Sequence, residues 1–240
     1  MTGNEQTTTV GQLPAQSSEG SRVPEALTRL VWALWIVSVG VLGLRLWTDQ
    51  TWELPGLLAV DGLTVVMWTT VTFFSGIVHS YSRRYMAGSE VIDRFFGRVF
   101  AFTLIVMVLV AADNLLLFGA AWLAMGLVMA SLIGTVEGWP QAQAAAALAR
   151  RYFLTSSALL AVALAALWVH TGATTVSGIA ATLGESSLIV LVAAGALVLA
   201  AMVQSALLPF HTWLLSSMTA PTPASALMHA GFVNAGGILL

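Results

Sequence analysis

The segment from Gln204 to Asn234 reads Q-S-A-L-L-P-F-H-T-W-L-L-S-S-M-T-A-P-T-P-A-S-A-L-M-H-A-G-F-V-N. Its apolar helical pattern is interrupted by three prolines, Pro209, Pro221 and Pro223. The stretch just before the first proline, residues 187–208, holds no charge over 22 residues. At ~1.5 Å per residue it reaches about 33 Å, which is enough to cross a bilayer. Because proline removes a backbone donor and disfavours helical dihedrals at the residue before it, we expect a transmembrane helix that breaks near Pro209 and resumes at His211.

A helix break at membrane depth needs polar partners, because lipid cannot hydrogen-bond the freed carbonyl groups. Gln204, His211 and His229 are the polar side chains available in this segment. His211, directly after the break, is also a candidate for proton transfer, although a structural role fits it as well. The alternative is a helix that simply ends at the membrane interface, with Trp213 as an aromatic anchor.

The composition indicates a membrane protein with several spans. Hydrophobic residues make up 58% of the chain and charged residues 8%, whereas about 25% charged residues is usual in soluble proteins. A net charge of −2 gives no reason to expect a nucleic-acid partner. The chain has no cysteine, which excludes disulfides, iron–sulfur clusters and thiolate zinc sites. We therefore expect no cofactor and no metal, and no catalytic chemistry in this chain itself.

The fold expected is all-α, a polytopic transmembrane helix bundle of about seven spans, the sixth broken near Pro209. Val99 to Gly134 is 36 residues long, and as one helix it would reach about 54 Å, far more than the ~30 Å hydrocarbon core. It must therefore be two helices, with Asp113-Asn114 as the turn between them. Asp113 is expected to cap the free amides of the next helix, and proton handling is the alternative role.

The remaining elements follow from apolar stretches and polar connectors. The other spans predicted are about Leu27–Trp47, about Gly62–Tyr81, an alanine-rich helix carrying Arg150 and Arg151 that ends near His170, and a last span from Pro223 onward. A short acidic loop with Asp49, Glu53 and Pro55 and a glycine- and threonine-rich loop at Gly172–Glu185 connect them. The regions predicted are a disordered cytoplasmic tail (1–24, with Met1–Gly20 free of apolar periodicity), two spans and a basic loop (25–98) and a five-helix unit (99–240).

Loop charges predict the orientation in the membrane. Eight of the nine basic residues fall on the side of the N-terminus: Arg22, Arg29, Arg83, Arg84, Arg94, Arg98, Arg150 and Arg151. By the positive-inside rule this side is cytoplasmic, which predicts a cytoplasmic N-terminus. Arg83, Arg84, Arg94 and Arg98 form a dense basic loop, where we expect an acidic partner surface to dock; lipid headgroups are the alternative.

Few polar side chains are available for proton transfer, and such groups at membrane depth are functional candidates. Thr222, Ser225 and His229 recur at spacings of three and four, which places them on one helix face. His229 is the strongest relay candidate because imidazole titrates near neutral pH, and a buried structural histidine is the alternative. His79 and His170 lie at predicted span ends and are expected at the interface. The candidate proton pathway comprises His229, His211, Gln204, Ser225, Thr222 and Asp113.

The broken segment also carries a family resemblance. Leu208–Leu214, Pro221–Pro223 and Ser225–Ala230 resemble the signature of the proton-conducting antiporter-like membrane subunits. That family includes the large membrane subunits of NADH:quinone oxidoreductase, the Mrp antiporters, and the DabB subunits of inorganic carbon transporters. Trp213–Ser217, Met228–Gly231 and Asn234–Gly237 resemble the DabB branch most closely, and Asp61–Leu63, Tyr85-Met86, Ala112–Leu116 and Trp122 extend the likeness. The resemblance covers about Asp61 to Leu240 and implies inverted five-helix repeats, of which residues 99–240 would be the first, truncated in its last helix. It also implies that the membrane is the prokaryotic inner membrane.

The sequence departs from the family pattern at two positions. The redox-complex and Mrp subunits usually carry a glutamate directly after the tryptophan aligned with Trp122, where this chain has Leu123. They also carry a lysine in the broken helix, where this chain has Gln204. That glutamate–lysine pair is the part of the pattern thought to switch proton affinity. Neither leucine nor glutamine exchanges a proton, so the departure favours a DabB-like subunit over a pump or antiporter.

The resemblance leaves three functional hypotheses open. In the first, the chain conducts protons to a DabA-like, zinc-dependent cytoplasmic partner that hydrates carbon dioxide. In the second, it is a membrane subunit of a proton-pumping NADH:quinone oxidoreductase or an Mrp-type antiporter, where its partners are other antiporter-like membrane subunits. In the third, it is a scaffold subunit that has lost conduction. The genes beside it would discriminate between the first two.

Overall fold

A computed structural model describes residues 21–182 and 187–239. The predicted tail at Met1–Gly20, Glu185 and Leu240 lie outside the described residues. The helices are α1 (Val23–Thr48), α2 (Gly62–Tyr85), α3 (Ile92–Ala111), α4 (Leu115–Ile133), α5 (Pro140–Thr171), α6 (Val176–Thr182), α7 (Leu188–Gln204), α8 (Thr212–Ser216), α9 (Thr222–Leu227) and α10 (Ala235–Leu239). Strands β1 (Trp52–Leu54) and β2 (Leu58–Val60) form an antiparallel hairpin. A 3₁₀ turn (Ser217–Thr219) follows α8, and a π-helical turn (Met228–Phe232) follows α9.

Helices α1 to α5 are each long and apolar enough to cross a membrane. The prediction that residues 99–134 form two helices is confirmed, because α3 ends at Ala111 and α4 begins at Leu115. α3 begins at Ile92, so the region boundary predicted at Val99 falls inside a helix. α7 is also apolar but has only 17 residues. Among the described residues, the first five helices are therefore the candidate membrane spans.

The helices run antiparallel in turn, so one end of the bundle collects the arginines. Arg94 at the start of α3 pairs with Glu137 after α4, and the Arg98 guanidinium donates to the Ser131 carbonyl at 3.0 Å. Arg83 and Arg84 lie in the last turn of α2. The four arginines predicted to form a basic loop therefore lie on two helix ends, and two of them already bond to the α4 end. We call this the basic end of the bundle.

The opposite end is tied together by backbone hydrogen bonds among three connections. The Leu57 carbonyl in the β1–β2 turn accepts from the amides of Asp113 and Asn114, at 3.0 and 3.1 Å. The same α3–α4 turn bridges to Thr175, just before α6. The predicted acidic loop is thus a hairpin, and the predicted glycine- and threonine-rich loop contains the helix α6. Both predictions were wrong because short elements of this kind depend on contacts between distant parts of the chain.

The capping prediction for Asp113 was also wrong. Asn114 is the N-cap of α4, and its side-chain oxygen accepts from the amides of Leu116 and Leu117 at 3.0 and 3.2 Å. Asp113 instead accepts from the amide and the hydroxyl of Ser177 in α6, at 2.8 and 2.7 Å. Its carboxylate therefore stabilises the start of α6, where partial positive charge from the free amides favours an anion. The proton-handling alternative for Asp113 stays a prediction.

The core lies mainly between α3, α4 and α5, and α8, α9 and the π-helical turn pack against it. Gly126 of α4 permits the closest approach, since a Cβ there would lie 2.8 Å from the Cβ of Phe153 in α5. Phe153 in turn contacts Trp213 and Phe232, with ring centroids 4.8 and 4.6 Å apart in edge-to-face geometry. This aromatic cluster holds α8 and the π-helical turn against α5, which positions the candidate site.

Candidate functional site

The backbone between α7 and α8 is irregular but largely hydrogen-bonded. α7 ends at Gln204, five residues before Pro209, and residues 205–211 form turns. The Ser205 amide donates to the Ala201 carbonyl at 2.8 Å, and the Leu207 amide donates to the Met202 carbonyl at 2.9 Å. Ala206 has a φ of 53°, in the left-handed region, and the Leu208–Pro209 peptide bond is cis. The interruption therefore begins before the proline that predicted it.

Trp213 provides the side-chain donor at this interruption. Its indole Nε1 donates to the Val203 carbonyl at 3.0 Å, and the residue is completely buried. Two backbone donors from beyond the end of α7 also reach this carbonyl, the Ser205 amide and, at 3.4 Å, the Ala206 amide. Trp213 is therefore not an interfacial anchor, and the sequence analysis missed it as the residue that supports the interrupted backbone. Trp213 lies ten residues after Val203, and no sequence pattern at that spacing predicts a hydrogen bond between an indole and a backbone carbonyl.

Gln204 is the most enclosed polar side chain of the predicted pathway. It is the last residue of α7 and only 1% exposed, and no group among the described residues bonds its Nε2. One turn earlier, the Ala200 carbonyl accepts from the Ser156 hydroxyl of α5 at 3.0 Å. That hydroxyl also accepts from the Trp122 indole of α4 at 3.2 Å. A series of buried hydrogen bonds thus links α4, α5 and the end of α7. Beside it, Gln204 adds a side-chain amide nitrogen that lacks a hydrogen-bond partner among the described residues.

His211 follows the interruption as the N-cap residue of α8. It is half-buried, and its Nδ1 is enclosed without a protein partner. Because an enclosed amide of Gln204 and an enclosed ring nitrogen of His211 flank the same interruption, both need a hydrogen-bond partner from outside the chain's own groups. Water is the partner that suits both, since it donates and accepts. The interruption is therefore a polar site in an apolar bundle.

His229 lies in the π-helical turn and is exposed on the surface of this chain. The Val233 amide donates to the Met228 carbonyl at 3.0 Å across that turn, and the Asn234 side chain donates to the carbonyls of His229 and Ala230 at 3.5 and 3.3 Å. π-helical turns are rare and occur frequently at functional sites. Among the described residues no hydrogen bond joins the side chains of His229 and His211, so the structure does not link the two relay candidates directly.

The other predicted pathway residues lie near the start of α9. Pro221 is the N-cap residue and Pro223 lies in the first turn, both buried. Thr222 is exposed and its hydroxyl bonds the Tyr85 hydroxyl at 3.3 Å, while Ser225 is half-buried. That Thr222, Ser225 and His229 lie on one helix face stays a prediction. The π-helical turn begins between Ser225 and His229 and changes the spacing of side chains along the helix.

His79 is a buried titratable residue that the sequence analysis placed at the interface. The structure has it completely buried between α2 and α3, because α2 continues to Tyr85 and leaves His79 six residues inside the helix. The interface prediction for His79 was therefore wrong. The signal that could have found it is its place in a series of polar residues spaced three and four apart along α2.

Leu123 borders an apolar groove between α4 and α5. The groove encloses about 680 Å³, and Ser157 of α5 lines it opposite Leu123, with a hydroxyl that is enclosed and has no protein partner. If the family's glutamate stood in place of Leu123, its carboxylate would share this groove with the Ser157 hydroxyl. No charged residue lines this groove.

Comparison with known proteins places the chain in a family. The model of the NADH:quinone oxidoreductase/Mrp antiporter transmembrane region matches residues 112–240, more than half of the chain. The model described as the N-terminus of NADH-ubiquinone oxidoreductase (complex I) chain 5 matches residues 48–96.

Two curated relatives represent two branches of that family. The probable inorganic carbon transporter subunit DabB1 of Halothiobacillus neapolitanus is 37% identical over 193 residues, which cover 77% of this chain and 34% of the relative. NADH-quinone oxidoreductase subunit L of Escherichia coli is 35% identical over 187 residues, which cover 76% of this chain and 30% of the relative. The chain thus spans about a third of the length of these relatives.

Solved structures agree with this assignment. A chain of the Mrp complex from Dietzia sp. superposes with a TM-score of 0.72 at 27% identity, covering 90% of this chain and 26% of that one. A chain of an archaeal membrane-bound sulfane sulfur reductase, a respiratory membrane complex, superposes with a TM-score of 0.82 over 90% of this chain and 46% of that one. At 14% identity the second likeness shows the fold alone. The chain is a multi-pass membrane protein that belongs to the NADH:quinone oxidoreductase/Mrp antiporter family of antiporter-like membrane subunits.

Proposed function

We propose that the chain is the proton-conducting, DabB-like part of an inorganic carbon transporter, which couples proton flow to a cytoplasmic partner. The observation that carries this proposal is the interruption between α7 and α8, where the enclosed amide of Gln204 and the enclosed ring nitrogen of His211 lack protein partners. Irregular backbone is tolerated at membrane depth where it lines a hydrated cavity. Water held by these groups would connect the interruption to a proton route.

The uncharged character of this site favours the DabB-like reading over the redox-complex and Mrp reading. Gln204 occupies the position at which those subunits usually carry a lysine, and Leu123 the position of their glutamate. Since Gln204 is only 1% exposed, a lysine there would need a buried counter-ion. Neither the Leu123 groove nor a salt bridge among the described residues provides one. A proton route through this chain therefore relies on titratable groups other than that pair.

The membrane arrangement is part of the proposal. We take α1 to α5 as five spans, α7 with α8 as a broken sixth, and the segment from Thr222 onward as the seventh. The arginine-rich basic end faces the cytoplasm by the positive-inside rule. The hairpin and α6 then lie on the opposite side, near the acidic groups Glu53 and Asp61.

A cytoplasmic partner would meet the basic end. Arg83 and Arg84 are exposed there, and no carboxylate among the described residues pairs with either. A DabA-like zinc-dependent subunit with an acidic surface fits this position. The second candidate, a membrane subunit of a proton-pumping NADH:quinone oxidoreductase or of an Mrp-type antiporter, is supported by the comparable identity to subunit L and by the Mrp superposition.

The experiment that separates these candidates measures coupled transport. Cells carrying the assembled complex should accumulate labelled bicarbonate in proportion to the proton gradient, and a protonophore should abolish the accumulation. The double variant Gln204→Lys, Leu123→Glu should not raise accumulation, because it adds the charges of a mechanism that this subunit does not use. Sodium/proton exchange or NADH-driven proton pumping, observed without bicarbonate uptake, would support the second candidate instead.

A further inference from the structure

A continuous polar seam runs along the face of α2 that contacts α3. It consists of Thr64, Trp68, Thr72, Ser75, His79 and Ser82, at spacings of three and four, so all six lie on one helix face. Five of them are buried, with exposures between 0% and 3%. The seam is separate from the α7–α9 site and precedes the region that matches the family's transmembrane model at residues 112–240.

Most of the seam is explained by helix packing. The Trp68 indole donates to the Met107 carbonyl at 2.8 Å, and the Thr64 hydroxyl donates to the Val110 carbonyl at 3.1 Å, both across to α3. Such interhelical bonds hold membrane helices together. Thr72 bonds back to the Trp68 carbonyl of its own helix at 2.7 Å. These groups therefore have partners, and packing accounts for them.

His79 is the member that packing does not explain. Its Nδ1 lies 2.8 Å from the Ser75 carbonyl, which can only accept, so Nδ1 carries the proton. Nε2 is then an acceptor, and it is fully enclosed without a partner among the residues that the structure describes. Phe96 and Phe100 flank the ring, with centroids 5.5 and 6.4 Å away, and neither offers a donor to a lone pair. Leaving a buried acceptor unpaired is unfavourable, so a donor from outside the protein is required.

A hydroxyl pair lies beside the ring on the α3 side. The Ser75 and Thr103 hydroxyls are 2.6 Å apart, and the Ser75 hydroxyl is also 3.3 Å from Nδ1. The Thr103 hydroxyl donates to the Val99 carbonyl at 3.0 Å, which fixes its orientation. Nδ1 is therefore held directly by Ser75 of α2 and indirectly by Thr103 of α3, which fixes the tautomer in which Nε2 is the basic nitrogen.

Among the described residues, the charged side chains on the helices around His79 form no ion pair with its ring. On α3, Arg98 bonds the Ser131 carbonyl and Arg94 pairs with Glu137. On α1, Arg29 pairs with Glu25, and α9 contributes no charged residue. The remaining charges at this end are all exposed: Arg22 before α1, Arg83 and Arg84 of α2, Glu90 and Asp93 around the start of α3, and Arg150 and Arg151 of α5. Since no carboxylate bonds His79, an imidazolium formed there is not held permanently and can release its proton.

We propose that His79 is a proton-loading site between α2 and α3, at which Nε2 exchanges a proton with water in the interface. A hydronium ion gives its proton to the Nε2 lone pair and becomes water, and the imidazolium returns the same proton to water in the reverse step. Nδ1 keeps its proton and its bond to the Ser75 carbonyl throughout. The contribution of this site to transport rests on the proposed proton conduction, whereas its proton exchange does not.

The exchange is tested directly by solid-state nitrogen NMR of the complex in lipid bilayers, with histidine labelled in this chain. Subtracting the spectrum of the His79→Asn variant assigns the His79 signals among the four histidines. We expect an unprotonated Nε2 with a water cross-peak at high pH, and a doubly protonated ring that grows in over roughly pH 9 to 5. An Nε2 signal without a water cross-peak and without change over this range would overturn the proposal.

Transport provides the second measurement. In His79→Asn the amide nitrogen takes the place of Nδ1 and keeps the Ser75 bond, but it cannot take up a proton, so proton flux should fall by about tenfold or more with assembly unchanged. The control Thr72→Val removes a buried hydroxyl that bonds only within α2 and should leave flux unchanged. Full flux in His79→Asn would reject the transport role. A wild-type complex without proton flux would refute the proposed function instead, and the NMR result would still decide whether His79 exchanges protons.

Discussion

Replacing Trp213 by phenylalanine tests whether its indole supports the interrupted backbone after α7. The substitution keeps an aromatic ring in contact with Phe153 and Phe232, whose centroids lie 4.8 and 5.9 Å from that of Trp213. It removes the Nε1 donor, which bonds the Val203 carbonyl at 3.0 Å in a completely buried setting. The variant therefore isolates one hydrogen bond and a modest loss of ring volume.

The magnitude follows from what is left at the Val203 carbonyl. A buried acceptor that loses its partner costs about 1–3 kcal/mol. Here the Ala206 amide remains as a long partner at 3.4 Å, so we expect the lower part of that range, about 1–2 kcal/mol of unfolding free energy. This corresponds to a decrease of about 5- to 30-fold in the equilibrium between folded and unfolded protein.

Trp122→Phe is the matched control. Trp122 is also buried and its indole also donates one hydrogen bond, to the Ser156 hydroxyl at 3.2 Å. That hydroxyl keeps its own bond to the Ala200 carbonyl, so it is not left unpaired and the expected loss is about 1 kcal/mol or less. Unfolding free energies from SDS titration in mixed micelles would compare the two. Equal losses in both variants, or none in Trp213→Phe, would refute the reasoning.

Three further predictions concern orientation, docking and the α3–α4 turn. A cysteine introduced at Ser89 should react with an impermeant thiol reagent only from the cytoplasmic side, and one at Thr51 only from outside; the reverse pattern would overturn the orientation. Exchanging Arg83 and Arg84 for glutamine should weaken co-purification of a cytoplasmic partner more than membrane insertion, whereas unchanged co-purification would leave lipid anchoring as their role. Asn114→Ala should lower the unfolding free energy by about 1–2 kcal/mol because it removes the α4 cap, and a loss within measurement error would contradict that role.

Length and hydropathy predicted the features that depend on the chain locally. A 36-residue apolar stretch with Asp113 as its only charge is too long for one span and required a turn at Asp113-Asn114, and the turn lies there. Pro209 predicted a helix break nearby, and α7 ends five residues earlier, at Gln204. The helix stops there because backbone and indole donors from residues further along the chain satisfy its last carbonyls.

Contacts between distant residues produced the errors. Asp113 and Asn114 are both good N-caps, and only the position of α6 decides that Asp113 caps that helix instead of α4. Tryptophan in a membrane protein is often found at the membrane–water interface. Trp213 is instead buried, because it packs against Phe153 and Phe232 and donates to the Val203 carbonyl. His79 was placed at a span end because α2 was predicted to stop at Tyr81, four residues too early.

Proton-driven bicarbonate accumulation by liposomes that carry the assembled complex tests the central claim most directly, with His229→Gln compared against wild type and His229→Ala. Glutamine can replace the hydrogen bonds of a histidine but cannot pick up and release a proton. If the π-helical turn carries a proton relay, both variants should lose proton-driven bicarbonate accumulation while the complex still assembles. Near wild-type accumulation in His229→Gln, with a loss only in His229→Ala, would contradict the relay and give His229 a structural role.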